Sequence, residues 1–246
     1  MTLAKKIINW TRRWFERNDR KTAVIGISGG KDSAVVAALC REALGCDHVV
    51  GIMMPNGHQK DISDSETVVQ ELGIFAGTAN IQPVYNAMLD CVREAIGQDA
   101  SEGAKINIAP RIRMALLYAV AQTLSETKQA KACVVGTGNR GEAEIGYTTK
   151  GGDSLSDVNP IRNLWTDEVV QVGDEMHYFP HIVHKEPADG LCGKSDEARL
   201  GFSYADVKAV FTGEEISEDL AEAILMAHKA SKHKRDPIPS YPDTIE

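Results

Sequence analysis

The residues best suited to chemistry stand together early in the chain, in Ser28-Gly-Gly-Lys-Asp-Ser33, directly after the apolar run 23–27. Ser28 and Ser33 bring hydroxyl donors, and Gly29 and Gly30 let a ligand come close to the main chain. From Ala34 the residues Val35, Val36, Ala38, Leu39 and Leu44 recur at helical spacing, so the order is strand, tight turn, helix start. That order makes an anion site: N–H groups left free at the helix start converge with the positive end of its dipole. Neither the Walker spacing Gly-x-x-x-x-Gly-Lys-[Ser/Thr] nor the dinucleotide spacing Gly-x-Gly-x-x-Gly can be laid over the loop.

The hexapeptide resembles the pyrophosphate loop of the ATP pyrophosphatases, which cleave ATP to AMP and diphosphate while activating a carboxyl or carbonyl oxygen as its adenylate. Asp32 fits that use. A carboxylate beside a polyphosphate repels it unless a divalent cation lies between, so Asp32 reads as a magnesium ligand.

The elements that must position this loop can be read along the chain. An opening helix carries Leu3, Ile7, Ile8, Trp14 and Phe15 on one stripe and Lys5, Arg12, Arg13 and Arg17 on the other. Strands are expected at 48–54, 78–81 and 132–136, with helices at 64–72 and 85–96 and a polar surface loop at 97–103. A longer helix is expected to start after Asn107 with Pro110 in its first turn, and to continue through Met114, Leu116, Leu117, Val120 and Leu124. Beyond 136 comes a polar, Gly-rich stretch to Asp153. Thr166 reads as the N-cap of a helix to about Met176; a mixed stretch follows at 181–197, then helices at 204–211 and, from Ser217, to 230. The tail Lys232-His-Lys-Arg235 is basic, which suits a helix C-terminus for the fold alone. Apolar runs alternating with helical periods predict an α/β fold, a doubly wound parallel sheet flanked by helices. Both rich segments then lie outside strand ends, where such sheets bind ligands.

At 246 residues and 43% hydrophobic content the chain can bury a full core, and no linker composition divides it, so residues 1–246 are expected to form one domain. A net charge of −8 argues against a groove for a phosphate backbone and for a small-molecule substrate, with no nucleic acid among its partners. Cys40, Cys46, Cys91, Cys133 and Cys192 show no C-x-x-C spacing and read as reduced, mostly buried thiols. The N-terminus lacks a signal-peptide pattern and no apolar run reaches spanning length, so a cytoplasmic protein with no membrane partner is expected.

Five motifs in register make the chain similar to the ammonia-dependent NAD synthetases. They are the Ser-Gly-Gly-x-Asp-Ser loop, Pro-x-Gly-x-Gln at 55–59, Arg-x-Arg-Met at 111–114, a Gly-Thr…Glu…Gly…Thr-Lys-x-Gly-Asp stretch at 136–153, and His-Lys-Arg at 233–235. The resemblance implies a two-step ligation in which ATP adenylates the nicotinate carboxylate of deamido-NAD, diphosphate leaves, and ammonia attacks the acyl adenylate to give NAD. No side-chain nucleophile is needed when ammonia itself attacks, and no Ser-His-Asp set is evident. Carried over residue by residue, Gly26, Ser28, Gly29, Gly30, Lys31, Asp32, Ser33 and Thr137 would bind ATP. Asp32 and Glu142 would bind magnesium, and Arg111, Lys150, Asp157, His233 and Lys234 would contact deamido-NAD, with Asp32 and Lys150 catalytic. The family also implies a homodimer, in which the opening helix and the long helix supply apolar surface.

Two positions depart from the family pattern. Thr166 stands where many relatives carry a phosphate-contacting Lys, and Ala188 where they carry Ser or Thr in Lys-x-Pro-[Ser/Thr]; Lys185 and Lys194 are candidates to replace them. Among other users of the loop, the tRNA thiolases would need a cysteine pair and a basic face. GMP synthetase would need a dimerisation domain and asparagine synthetase a glutaminase, for which no residues are left over. A nucleotide sensor would not need Glu142, Lys150 or the His-Lys tail.

Overall fold

The computed structural model of the chain describes residues 1–59, 62–185 and 196–241. Its centre is β1 (Thr22–Gly26), whose first four residues are buried because helices cover both of its faces. In chain order the elements are α1 (Leu3–Arg17), β1, α2 (Lys31–Leu44), a 3-10 turn (Cys46–His48), β2 (Val49–Met53), α3 (Ile62–Leu72), β3 (Phe75–Thr78), α4 (Gln82–Ile96), α5 (Glu102–Lys128) and β4 (Ala132–Val134). Then follow α6 (Arg140–Ile145), α7 (Thr166–Met176), α8 (Pro180–Val183), α9 (Asp196–Leu200), α10 (Tyr204–Thr212), α11 (Glu218–Ala230) and α12 (Lys232–Arg235).

The sheet runs β3-β2-β1-β4 with every pair parallel, in the registers Ala23 with Val49, Val50 with Phe75 and Val24 with Val134. The chain winds outward from β1 to β3 and then returns to the other side of β1. The order therefore reverses between β1 and β4, and a crevice opens outside their carboxyl ends. One face is packed by Ile7 and Phe15 of α1, Val35 and Leu39 of α2, Val68 of α3, and Val169 and Val172 of α7. The other buries Val24, Ile52 and Val134 under Ile108 and Ile112 of α5. A smaller cluster of Ile145, Trp165, Phe202, Tyr204, Val207 and Ile224 joins α6 to α10 and α11. The doubly wound α/β architecture expected from the sequence is the one found.

Several boundaries differ. The third strand is Phe75–Thr78, not 78–81, and Ile81 caps α4 instead. As an edge strand with its Phe75 ring exposed, β3 lacks the buried apolar run that marks β1 and β2. The long helix begins at Glu102, capped by the Ser101 hydroxyl on Ala104 N, and carries Pro110 in its interior. One interior proline forfeits a single backbone bond, and the stretch around it packs on the site. Trp165, not Thr166, is the N-cap of α7: the Glu168 carboxylate accepts from Trp165 N at 2.8 Å, while Thr166 Oγ1 is buried with no hydrogen-bond partner. Cys40 and Cys133 are buried and Cys91 exposed, all as free thiols. Burial pushes the Cys133 thiol up to about 12. No helix among the described residues is long and apolar enough to cross a membrane.

Candidate active site

The loop after β1 holds itself in shape. Gly29 turns the chain at φ +83°, which a side chain disfavours, and α2 then starts at Lys31. Ser33 Oγ accepts from Ser28 N at 3.2 Å and donates to Gly30 O at 3.0 Å; Ser28 Oγ lies 3.0 Å from Ser33 Oγ and accepts from Gly30 N at 3.2 Å. Gln59 ties the loop to the end of β2 through Nε2 on Ser28 O at 3.0 Å. Gly26 is close-packed, since a β-carbon there would stand 3.0 Å from Met54 Cε. Lys31 is buried, with its ammonium 3.6 Å from Asp32 Oδ2.

The chain leaving β4 meets this loop. Thr137 follows Gly136, and Asn139 caps α6 in a reciprocal box: Asn139 Oδ1 accepts from Glu142 N at 3.1 Å, and Glu142 Oε2 accepts from Asn139 N at 2.9 Å. The same Asn139 donates Nδ2 to Asp32 Oδ1 at 3.2 Å, which joins the two strand ends. Burial, and after it the charge of Asp32, hold the Glu142 carboxyl well above the usual carboxylate range. Two neighbouring acids at one crevice suit a cation shared with phosphates. Among the described residues no group of three or more His, Cys, Asp or Glu side chains is placed to form a metal cage.

A family model for NAD synthase matches residues 3–238. The chain belongs to that family. It is 36% identical to the NH(3)-dependent NAD(+) synthetase of Pyrococcus furiosus over 94% of this chain and 92% of that one. Among solved structures, an NMN synthetase from Francisella tularensis superposes with a TM-score of 0.87 at 32% identity, covering 98% of this chain and 97% of that one. A NAD+ synthetase from Burkholderia pseudomallei gives 0.76 at 25% identity, covering 94% and 88%.

The remaining NAD synthase motifs gather on a second constellation, in the stretch from Gly146 to Asp153. Asp153 clasps that loop, accepting from Thr148 Oγ1 at 2.6 Å and from Thr149 N at 2.8 Å, and Thr149 Oγ1 donates to Asn107 Oδ1 at 2.7 Å. Gly152 lies flat on α5, where a β-carbon would come within 3.0 Å of the Pro110 carbonyl carbon. Arg111 donates Nε to Lys150 O at 3.3 Å, and Lys150 donates Nζ to His233 O at 2.7 Å. Lys234 donates Nζ to Gly146 O and Thr148 O, each at 2.7 Å. Arg111 and Lys150 are thus tied to each other and to the tail through backbone carbonyls, and Lys234 ties the tail to the same loop. Asp157 lies to one side, accepting from Val134 N at 2.8 Å and from the Tyr118 hydroxyl at 3.3 Å. It lines a polar cleft of about 280 Å³ with Asp153, Ser156, Asn159 and Arg162.

At the two departures from the family pattern, Thr166 Oγ1 lies 3.6 Å from where a β-carbon on Gly141 would stand, and Arg140 stacks over the adjacent Trp165 ring at 4.3 Å. Lys185 pairs with Asp64 of α3 at 2.7 Å, while Ala188 and Lys194 lie outside the described residues. Sequence reasoning missed Asn139, and it placed Gln59 and Asp153 in motifs without giving them a role. For Asn139 the signal was present, an Asn three residues before Glu142.

Proposed function

We propose that the chain catalyses the ATP-dependent amidation of the nicotinate carboxylate of deamido-NAD by ammonia, giving NAD, AMP and diphosphate. What carries the reading is the Asn139–Asp32 bridge at the reversal point of the sheet, which sets a phosphate loop and a second acid on one crevice beside the Arg111–Lys150–tail constellation. The substrate carboxylate oxygen bonds to the α-phosphorus of ATP as diphosphate departs. Ammonia nitrogen then bonds to the carbonyl carbon as AMP leaves with the C–O electrons, and a proton passes to solvent.

In this reading Gly26, Ser28, Gly29, Gly30, Lys31, Ser33 and Thr137 hold ATP, with N–H groups at the start of α2 facing its phosphates. Asp32 and Glu142 are the residues that would hold magnesium, whose positive charge would offset that of the polyphosphate. Arg111, Lys150, Asp157, His233 and Lys234 hold the nicotinate substrate, and Lys150 lends positive charge where the leaving nucleotide gathers negative charge. Ammonia as donor follows the NH(3)-dependent relatives, and a cytoplasmic setting follows the free thiols and the ATP requirement.

A homodimer belongs to the proposal on a narrower footing than the sequence suggested. The apolar stripe of α1 is taken up by its own domain, since Ile7 and Phe15 pack on α2 and α7. The outer face of α4 is not covered, and Val84, Met88 and Ile96 stand exposed beside Ile106 of α5. A second copy docked there by a two-fold contact would cover that apolar face.

A second reading is favoured by one observation: the backbone superposes better on the NMN synthetase than on the Burkholderia NAD+ synthetase. The substrate would then be the mononucleotide, which asks less wall of the cleft. The test mixes the protein with ATP, magnesium and ammonium, gives deamido-NAD or nicotinate mononucleotide in parallel, and follows diphosphate and the amidated product. A higher kcat/KM on one of them decides between the readings, and turnover of neither removes both.

A further inference from the structure

Four acceptors converge on a side chain that none of the roles above uses. Arg235, half-buried in α12, donates Nη1 to Ala143 O at 3.2 Å, to Glu144 O at 2.9 Å and to Ser231 Oγ at 2.7 Å, and Nη2 to His228 O at 2.5 Å. Ala143 and Glu144 lie in the last turn of α6, where Ala143 O also accepts from Gly146 N at 3.2 Å and a cation meets the negative end of the helix. A planar guanidinium satisfies converging acceptors that a lysine cannot match.

The seam around it is tight. Gly146, which ends α6 at φ +67°, packs so closely on the start of α12 that a β-carbon there would stand 2.1 Å from Ser231 Cβ. His228 closes the same corner with Nδ1 2.7 Å from Glu144 O. At the opposite end of α6, Asn139 and Glu142 face Asp32 across the crevice. The helix has only six residues, and Glu142 directly precedes Ala143, whose carbonyl Arg235 binds. So short an element cannot shift at one end without shifting at the other.

We propose that Arg235 is a positioning residue of the nucleotide site: by fixing the C-terminal turn of α6 it keeps Glu142 and Asn139 in place against the phosphate loop. The inference rests on the ATP site proposed above. It gives the tail a second role, distinct from touching the nicotinate substrate with His233 and Lys234.

The test compares the full chain with Arg235→Ala, Arg235→Lys and Gly146→Ala, the last opening the same seam from the α6 side. Amide hydrogen exchange of residues 140–147 is read without turnover, and Mg·ATP affinity is measured by calorimetry without ammonium or nicotinate substrate. Arg235→Ala and Gly146→Ala are expected to speed exchange across α6 by about tenfold or more, and to weaken Mg·ATP binding by about tenfold. Arg235→Lys, keeping charge but not the fork, should fall between and carries the test if the alanine variant loses cooperative melting. Unchanged α6 exchange, or an effect confined to KM for the nicotinate substrate, overturns the proposal. A wild-type chain that binds no Mg·ATP would refute the assigned nucleotide site instead, while the exchange measurement still judges the clamp.

Discussion

Asn139 reaches from the cap of α6 to Asp32 at the start of α2, and its 3.2 Å contact links the carboxyl ends of β4 and β1 through one side chain. The cap and the bridge use different atoms of the same amide, so they can be separated. Asn139→Ser keeps a capping oxygen and loses the bridge, whereas Asn139→Ala loses both. We expect Asn139→Ala to lower stability by about 1 kcal/mol and Asn139→Ser by a few tenths at most, measured by urea unfolding. Both should slow diphosphate release to a similar extent; full activity in Asn139→Ser would show the bridge to be idle.

Asp32→Asn tests the acid itself. The substitution keeps size and helix start, so circular dichroism and melting should be unchanged, while diphosphate release falls by at least about a hundredfold through loss of charge neutralisation. An unaltered rate would reduce Asp32 to a first-turn acid of α2.

The pH dependence of stability follows from Glu142. Burial first, and Asp32 second, raise its folded carboxyl above the ordinary 4.5, against the pull of Asn139 N–H and Lys31. The folded chain therefore binds this proton more tightly than the unfolded chain does. That contribution to stability is complete below the unfolded value and is lost as pH rises through the folded one. Thermal melting of the metal-free protein should fall between about pH 5 and about pH 8, and Glu142→Gln should flatten that slope. Equal slopes in the two proteins would exclude Glu142 as its source.

Asp153→Ala would remove the clasp on Thr148 and Thr149 and free the loop that carries Lys150. KM for the nicotinate substrate should rise by about tenfold with Mg·ATP affinity unchanged, because the loop braces Arg111 and the tail but not α2. A loss in both together would mean that the two constellations are not separable.

For the homodimer, Val84→Arg with Met88→Glu on the bare face of α4 should yield monomers by light scattering, and activity should fall with mass on dilution. A fully active monomer at assay concentration would remove the dimer from the reading.

The phosphate loop was legible because its function and its local fold need the same residues: glycines for the turn, hydroxyls and an acid at a helix start. The parallel, doubly wound sheet, too, followed from alternation of apolar runs with helical periods, though its strand order did not. What stayed hidden depends on contacts across long separations. Pro110 looks like a helix start until Gly152 is seen packed against it, and Phe75 looks unlike a strand until the edge of the sheet explains its exposure. Arg235 reads as one more cation in a basic tail, since the carbonyls it gathers lie some ninety residues earlier on α6.

The strand order also sets a schedule for synthesis. β1 is flanked by β2, which follows within about thirty residues, and by β4, which arrives only after roughly eighty more. At ribosomal rates of about 5–20 residues per second, a nascent chain carries one open edge of this inner strand for about 4–16 s after β2 is made. Until Ala132 to Val134 pair with Thr22 to Val24, that edge is a template for any other extended segment. Asp32 has no Asn139 during the same interval, so the unfinished chain cannot assemble the nucleotide crevice.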